Sequence, residues 1–177
     1  TLVLGRDDEA PSNRAALYSR ALDHIIDGAR RRGGGALERA ALDGVDPRAL
    51  MRRLASAAHE SRSIEITRDD IKAALGGDAR KAAAAWRLAR ASLLPPLKPR
   101  RGDALVFSHL SFQEHLAAEA RGVVALFGET DKLGSPWWGD SLLAAWSLAG
   151  EAERQRAIGA LDESTRRLEA GSMVEVL

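Results

Sequence analysis

Between Leu93 and Ser108 the chain reads LLPPLKPRRGDALVFS, with Pro95, Pro96 and Pro99 inside five residues. Proline lacks the amide hydrogen that a helix interior needs, and its ring clashes with the preceding turn. No regular helix can pass through this stretch. The turn signal RRGD, Arg100 to Asp103, lies between Leu93-Leu94 and Leu105-Val106-Phe107. The segment therefore reads as a β-hairpin or wing, with arms at Leu93 to Lys98 and Asp103 to Ser108. It interrupts a chain that elsewhere repeats its apolar residues at helical spacing.

Upstream, Pro11 to Arg32 reads as a long helix capped by Ser12 or Asn13, with Leu17, Ala21, Ile25 and Ala29 on one face and Leu22 and Ile26 beside them. RRRGGG, Arg30 to Gly35, ends it with basic residues at the negative end of the dipole and glycines that release the chain. A short helix, Ala36 to Leu42, follows. Asp46-Pro47 is a strong helix start, and that helix should reach Glu60 with Leu50, Leu54, Ala57 and Ala58 inward. SIEIT, Ser63 to Thr67, suits a short strand. Thr67 caps the next helix with Asp70 in capping-box position, and Gly76-Gly77 stops it. Asp78 caps another, through Ser92.

Downstream, one helix is expected from the end of the hairpin to near Gly128, with Phe112, Leu116, Ala120, Val123 and Phe127 on one face. TDKLGS reads as a loop. Ser135-Pro136 starts a helix with Trp138, Leu142 and Trp146 in a stripe. Glu151 to Leu161 and Glu163 to Ala170 read as a final pair. The expected fold is mainly α. It comprises a helical segment over 1–45, a helix–helix–helix–wing–helix unit over 46–128, which is the layout of a winged helix, and the start of a helical, repeat-like region over 129–177.

Composition narrows the function classes. Aromatics are only 5 % of 177 residues, and the Ala- and Leu-rich remainder suits close helix packing. A net charge of +1, from 26 basic and 25 acidic residues, disfavours a nucleic-acid coat. With no cysteine, disulfides and thiolate chemistry are excluded. No apolar run approaches the roughly 18 residues that would cross a bilayer. TLVLGRDDEA has neither an initiating methionine nor a signal-peptide layout, and the expectation is a fragment of a longer, cytoplasmic protein.

FSHLSFQEHLAA, Phe107 to Ala118, concentrates the chemistry-bearing residues. Phe112 and Leu116 read as core. Ser108 or Ser111 can cap the helix, with Glu114 as the box partner of Ser111. His109 sits where a strand hands over to a helix N-terminus, whose free N–H groups attract anions. By itself it admits two readings, a structural histidine or an anion contact. His115 is expected on the surface or at a domain contact. The two histidines are six apart and do not share a face as an i, i+4 metal pair does, so no metal site is expected. No nucleophile–base pair, carboxylate pair or phosphate-binding Gly-Lys-Ser/Thr loop occurs, and no catalytic residue is assigned.

This stretch resembles the Phe-x-His-Leu-Ser-Phe-Gln-Glu-x-Leu-Ala-Ala signature of NACHT-type STAND NTPases, with His115 where that family usually carries Tyr or Phe. PSNRAALYSRALDHII, Pro11 to Ile26, resembles the family's Pro-x-x-Arg-x-x-Leu-Tyr helix. ASLLPPLKPRRGDALVFSH resembles its wing, with Ala91-Ser92 in place of Ser-Gly. TLVLG resembles the stretch that follows the family's Asn-Pro-Leu-Leu motif. The resemblance runs from Thr1 to about Gly128, with a weaker echo in PWWGDSLLAAWSLAG.

The resemblance implies a helical lid region followed by a winged-helix domain. It also implies that His109 contacts the β-phosphate of bound ADP in a closed, inactive state. ATP or ADP with Mg²⁺ would be held by an upstream nucleotide-binding core of the same chain, and homo-oligomer assembly would follow opening. The parent would be a signalling or antiviral defence ATPase, while this piece, lacking the phosphate loop, would not hydrolyse ATP. A different class also suits the element order: a winged-helix DNA-binding module with DARKAAAAWRLARA as recognition helix and Lys98 to Arg101 as the backbone-contacting wing. A helical protein-interaction scaffold with no switch is a third reading.

Overall fold

The computed structural model describes residues 11–32 and 35–174, so TLVLG and the first two glycines of RRRGGG lie outside the described residues. The protein is mainly helical, with one two-stranded antiparallel sheet. The helices before the sheet are α1 (Arg14–Arg31), α2 (Ala36–Ala41), α3 (Pro47–Glu60), α4 (Arg68–Ala74) and α5 (Ala79–Arg90). Strands β1 (Leu97–Arg100) and β2 (Ala104–Phe107) follow. Then come α6 (Leu110–Arg121), α7 (Val123–Phe127), α8 (Thr130–Leu133), a 3₁₀ turn at Pro136–Trp138, α9 (Gly139–Leu148) and α10 (Glu151–Val174).

The early boundaries follow local chemistry. The Asn13 side chain accepts from Ala16 N, Asp46 from Arg48 N and Asp78 from Lys81 N. Thr67 and Asp70 form the complete reciprocal capping box. α3 and α6 are the central pair. Met51, Leu54, Ala55 and Ala58 of α3 and Leu116 and Ala117 of α6 are all buried, and the alanines let the two backbones approach closely. Leu22 of α1, Ile71 of α4, Trp86 of α5, and Leu105 and Phe107 of β2 complete this core. A second cluster joins Val123 and Leu126 of α7 to Trp138, Leu142 and Ala145 around α9, and to Ala157 of α10. The first core thus includes a residue from the 1–45 segment, and the second takes residues from both sides of position 128.

Several expected details differ. Leu17 is 40 % exposed, because α1 packs through Ala15, Leu22, Ile26 and Ala29, and that stripe leaves Leu17 on the outer side. Ala57 and Ala120 are exposed for the same geometric reason. The first arm of the hairpin begins at Leu97, with Leu97 opposite Phe107 and Arg100 opposite Ala104. SIEIT contributes only a single bridge, with Ile66 and Leu105 exchanging backbone bonds of 2.8 and 2.9 Å. The helix expected to reach Gly128 breaks at Gly122, whose φ of +74° suits glycine and few other residues. The expected final pair is one continuous helix, since nothing between Leu161 and Glu163 breaks it.

The expected loop TDKLGS contains α8, and there Lys132 is only 2 % exposed. Its ammonium donates to both carboxylate oxygens of Glu60 at 2.8 Å, pairs with Glu129, and lies 4.5 Å from the Trp138 ring centre. Burial alone would lower its pKa, but bonds from Glu129 and Glu60 raise it above the ordinary lysine value. Lys132→Ala should cost about 2 kcal/mol, read from the midpoint of urea unfolding, because the half-exposed carboxylates regain water while the ring loses its cation. Lys132→Met should recover part of that loss by refilling the volume over Trp138; equal midpoints for wild type and both variants would contradict the assignment.

Candidate functional site

The candidate site lies where β2 hands over to α6. Ala104, Leu105 and Phe107 of β2 are buried, which anchors the strand and leaves its end at the surface. Ser108 N donates to Pro96 O at 2.8 Å, extending the ladder by one bond, and Lys98 Nζ donates to Ser108 O at 3.3 Å. His109 is extended (φ −141°, ψ 142°) and is the N-cap residue of α6, with no side chain closing that cap. The Ser108 or Ser111 cap and the Ser111–Glu114 box are therefore not formed. Only the backbone turns in, with Phe112 N donating to His109 O at 3.1 Å.

Gln113 holds this junction in place. It is 1 % exposed, and its amide donates to Ser63 O at 2.8 Å, tying the first turn of α6 to the segment before α4. The His109 ring is exposed and meets Phe112 edge-on at 5.9 Å. Beside it is a depression of about 350 Å³ whose lining includes Ile64, Lys98, Arg100, His109 and Gln113. Arg100 is paired with Glu65 at 3.1 Å, whereas Lys98, among the described residues, bonds only a carbonyl. A helix N-terminus, a lysine and an imidazole on one rim can take an anion by charge-assisted hydrogen bonds.

His115, expected at the surface or at a domain contact, is 1 % exposed, at the contact of α6 with α1. Its Nε2 lies 3.0 Å from both Ser19 Oγ and Glu119 Oε1. Arg48 of α3 closes the cluster. It donates to Glu119 through Nε (3.2 Å) and Nη2, to Ser19 O (3.3 Å), and to Asp23. Burial alone would raise the Glu119 carboxyl, but the bonds from His115 and Arg48 outweigh it and hold the group down to about 2. Ser19, His115 and Glu119 have the composition of a hydrolytic triad without its arrangement. Serine and carboxylate meet the same ring nitrogen, and Nδ1 has no partner among the described residues, so no second hydrogen bond orients the imidazole as a triad requires. The cluster is a polar latch between α1, α3 and α6.

The latch was not among the expected site residues. The i, i+4 spacing of His115 and Glu119 on one helix was the available signal, but Ser19, Asp23 and Arg48 come from elements whose packing no local pattern specifies. Comparison of the chain with protein-family models, with curated proteins and with solved structures finds no match. Among the described residues, no helix is long and apolar enough to cross a membrane.

Proposed function

We propose that this chain is the nucleotide-state-sensing, autoinhibitory part of a NACHT-type STAND ATPase, with His109 as its phosphate contact. The observation that carries the reading is the place of His109: exposed, at the start of α6, beside Lys98, and inside the FSHLSFQEHLAA motif. The order α3–α4–α5–β1–β2–α6 supports a winged-helix assignment for 46–128, with α1 and α2 as the lid segment and α9 and α10 as the start of a further helical region. ADP or ATP would be bound by an upstream core, which would also supply the Mg²⁺ ligands. His109, Lys98 and the first N–H groups of α6 suit the phosphate part of that nucleotide. A closed state held by ADP and an open, oligomer-forming state make a two-state switch biased by differential contacts. The parent would be a cytoplasmic signalling or defence protein.

The DNA-binding alternative is disfavoured by α5. Its buried residues are Ala82, Ala84, Ala85, Trp86, Leu88 and Ala89. Of its three exposed arginines, Arg87 is paired with Glu38 at 3.0 Å and Arg90 donates to Gly102 O at 3.2 Å, which leaves Arg80, in the first turn, to face solvent. Little of the helix is left to read a groove.

His109→Ala in the full-length protein should weaken ADP binding about ten- to a hundred-fold, the loss of one charge-assisted bond, and raise basal assembly. Fold stability should change little, because the ring is exposed. Titration calorimetry and sedimentation on wild type and variant test this. Unchanged ADP affinity and assembly with a lowered melting temperature would make the histidine structural. His115→Ala is no neutral comparison, since it removes a buried latch residue.

A further inference from the structure

We propose that Gln113 is the positioning residue of the His109 site. Its side-chain amide holds the start of α6 against the wing, so that His109, Lys98 and the first N–H groups of α6 converge on one anion. The inference rests on the phosphate-contact reading of His109 and adds to it a residue that acts through others. Gln113 borders the depression beside His109 but is only 1 % exposed, so it offers the ligand almost no surface of its own.

Position 113 belongs to the inward side of α6. Leu116 and Ala117, three and four residues on, are fully buried, and an apolar side chain would suit the place. The residue there is an amide, whose Nε2 donates to Ser63 O at 2.8 Å. Apolar packing tolerates sliding and repacking, whereas a hydrogen bond sets a distance and a direction. The acceptor is itself held. Ser63 N donates to Ala58 O at 2.8 Å, at the end of α3, and Ser63 Oγ meets both Glu65 N and Glu65 O at 3.0 Å. Three residues on from Ser63, Ile66 exchanges backbone bonds with Leu105 of β2.

These bonds close a ring. It runs from Leu105 along β2 to His109, through the first turn of α6 to Gln113, across to Ser63, and along the chain to Ile66 and back to Leu105. The anion's three contacts hang on that ring. Lys98 stands on β1 opposite Val106 of β2, His109 is the N-cap, and α6 presents its free N–H groups. The His109 side chain closes no cap and is exposed, so its place follows from how strand and helix are set. Without the Gln113 bond the ring opens, and the covalent link at Ser108–His109 becomes the shortest tie between them. The three contacts must then be ordered during binding rather than beforehand, which lowers affinity for the anion.

The test is the ADP affinity of the full-length protein, by titration calorimetry, for wild type, His109→Ala, Gln113→Met and the double variant. Gln113→Met keeps the volume and removes the donor. The expected result is a loss of about ten-fold in Gln113→Met that shrinks to about two-fold when His109→Ala is already present, because the two changes act on one contact. Gln113→Asn, polar but too short to reach Ser63 O, should behave as Gln113→Met does and replaces it should that variant fail to fold. Leu126→Ala, a truncation in the second core outside the ring, lowers stability and should leave ADP affinity at the wild-type value. Unchanged ADP binding in Gln113→Met or Gln113→Asn, an equal loss with and without His109, or as large a loss in Leu126→Ala would make Gln113 a core residue and overturn the inference while leaving His109 its role. ADP affinity indifferent to His109→Ala would overturn the phosphate-contact reading itself, and this inference with it.

Discussion

Arg48→Ala should lower the stability of the fold by about 3–5 kcal/mol, the range for stripping one partner from a buried charge cluster. Among the described residues Arg48 bonds Glu119, whose side chain is 12 % exposed, through two nitrogens, and it also holds Asp23 and the carbonyl of Ser19. Its removal leaves Glu119 ionised and poorly solvated, with His115 and Ser19 as its remaining bonds among the described residues. The neutralising partner change, Arg48→Ala with Glu119→Gln, should recover more than half of the loss, because the unpaired charge rather than the missing contacts dominates the cost. Arg48→Lys should recover little, since one ammonium cannot reproduce a guanidinium that reaches two carboxylates and a carbonyl. Urea unfolding of these four proteins and of Glu119→Gln alone checks this; additive losses in the double variant would show that the charges are not coupled.

Acidification should remove about 3 kcal/mol of stability between pH 6.5 and about 4 through one buried histidine. His59 is fully buried on α3. Its ring stacks on Trp137 at 4.8 Å, meets Trp138 edge-on at 4.4 Å, and shares a 3.1 Å hydrogen bond with Ser141. Burial pushes its pKa down from 6.5 to about 4. A depressed value means that the unfolded chain takes up the proton first. The contribution is complete above 6.5 and is lost as pH falls through the window to about 4. Glu119, depressed to about 2, continues the loss below 4.5, while Glu114, raised by burial and by Asp140, opposes it. His59→Gln should start from a lower stability and show a nearly flat profile between the two pH values. A variant profile as steep as wild type would place the titration elsewhere.

The sequence alone determined those elements whose ends are closed by chemistry within a turn. Asp46-Pro47, Thr67 with Asp70, and Asp78 each satisfy backbone N–H groups from a side chain at most three residues away, and α3, α4 and α5 begin where those residues stand. The prolines and RRGD determined the hairpin on the same grounds, and the placement of His109 between strand and helix followed from it. Where an element's state depends on distant charge or packing, the pattern was silent. TDKLGS is polar and turn-rich, yet Lys132 sits in a short helix with its side chain buried against Glu60, which is 72 positions away. His115 sits in a helical run like any surface residue, and only the approach of α1 and α3 brings Ser19 and Arg48 to it, across 96 residues to Ser19. Helical spacing tells which side of one helix is apolar, but it carries no information on which other helix arrives there, or on which charges meet when it does. That is decided by the packing of α1, α3, α6 and α9 as whole bodies, and with it the latch.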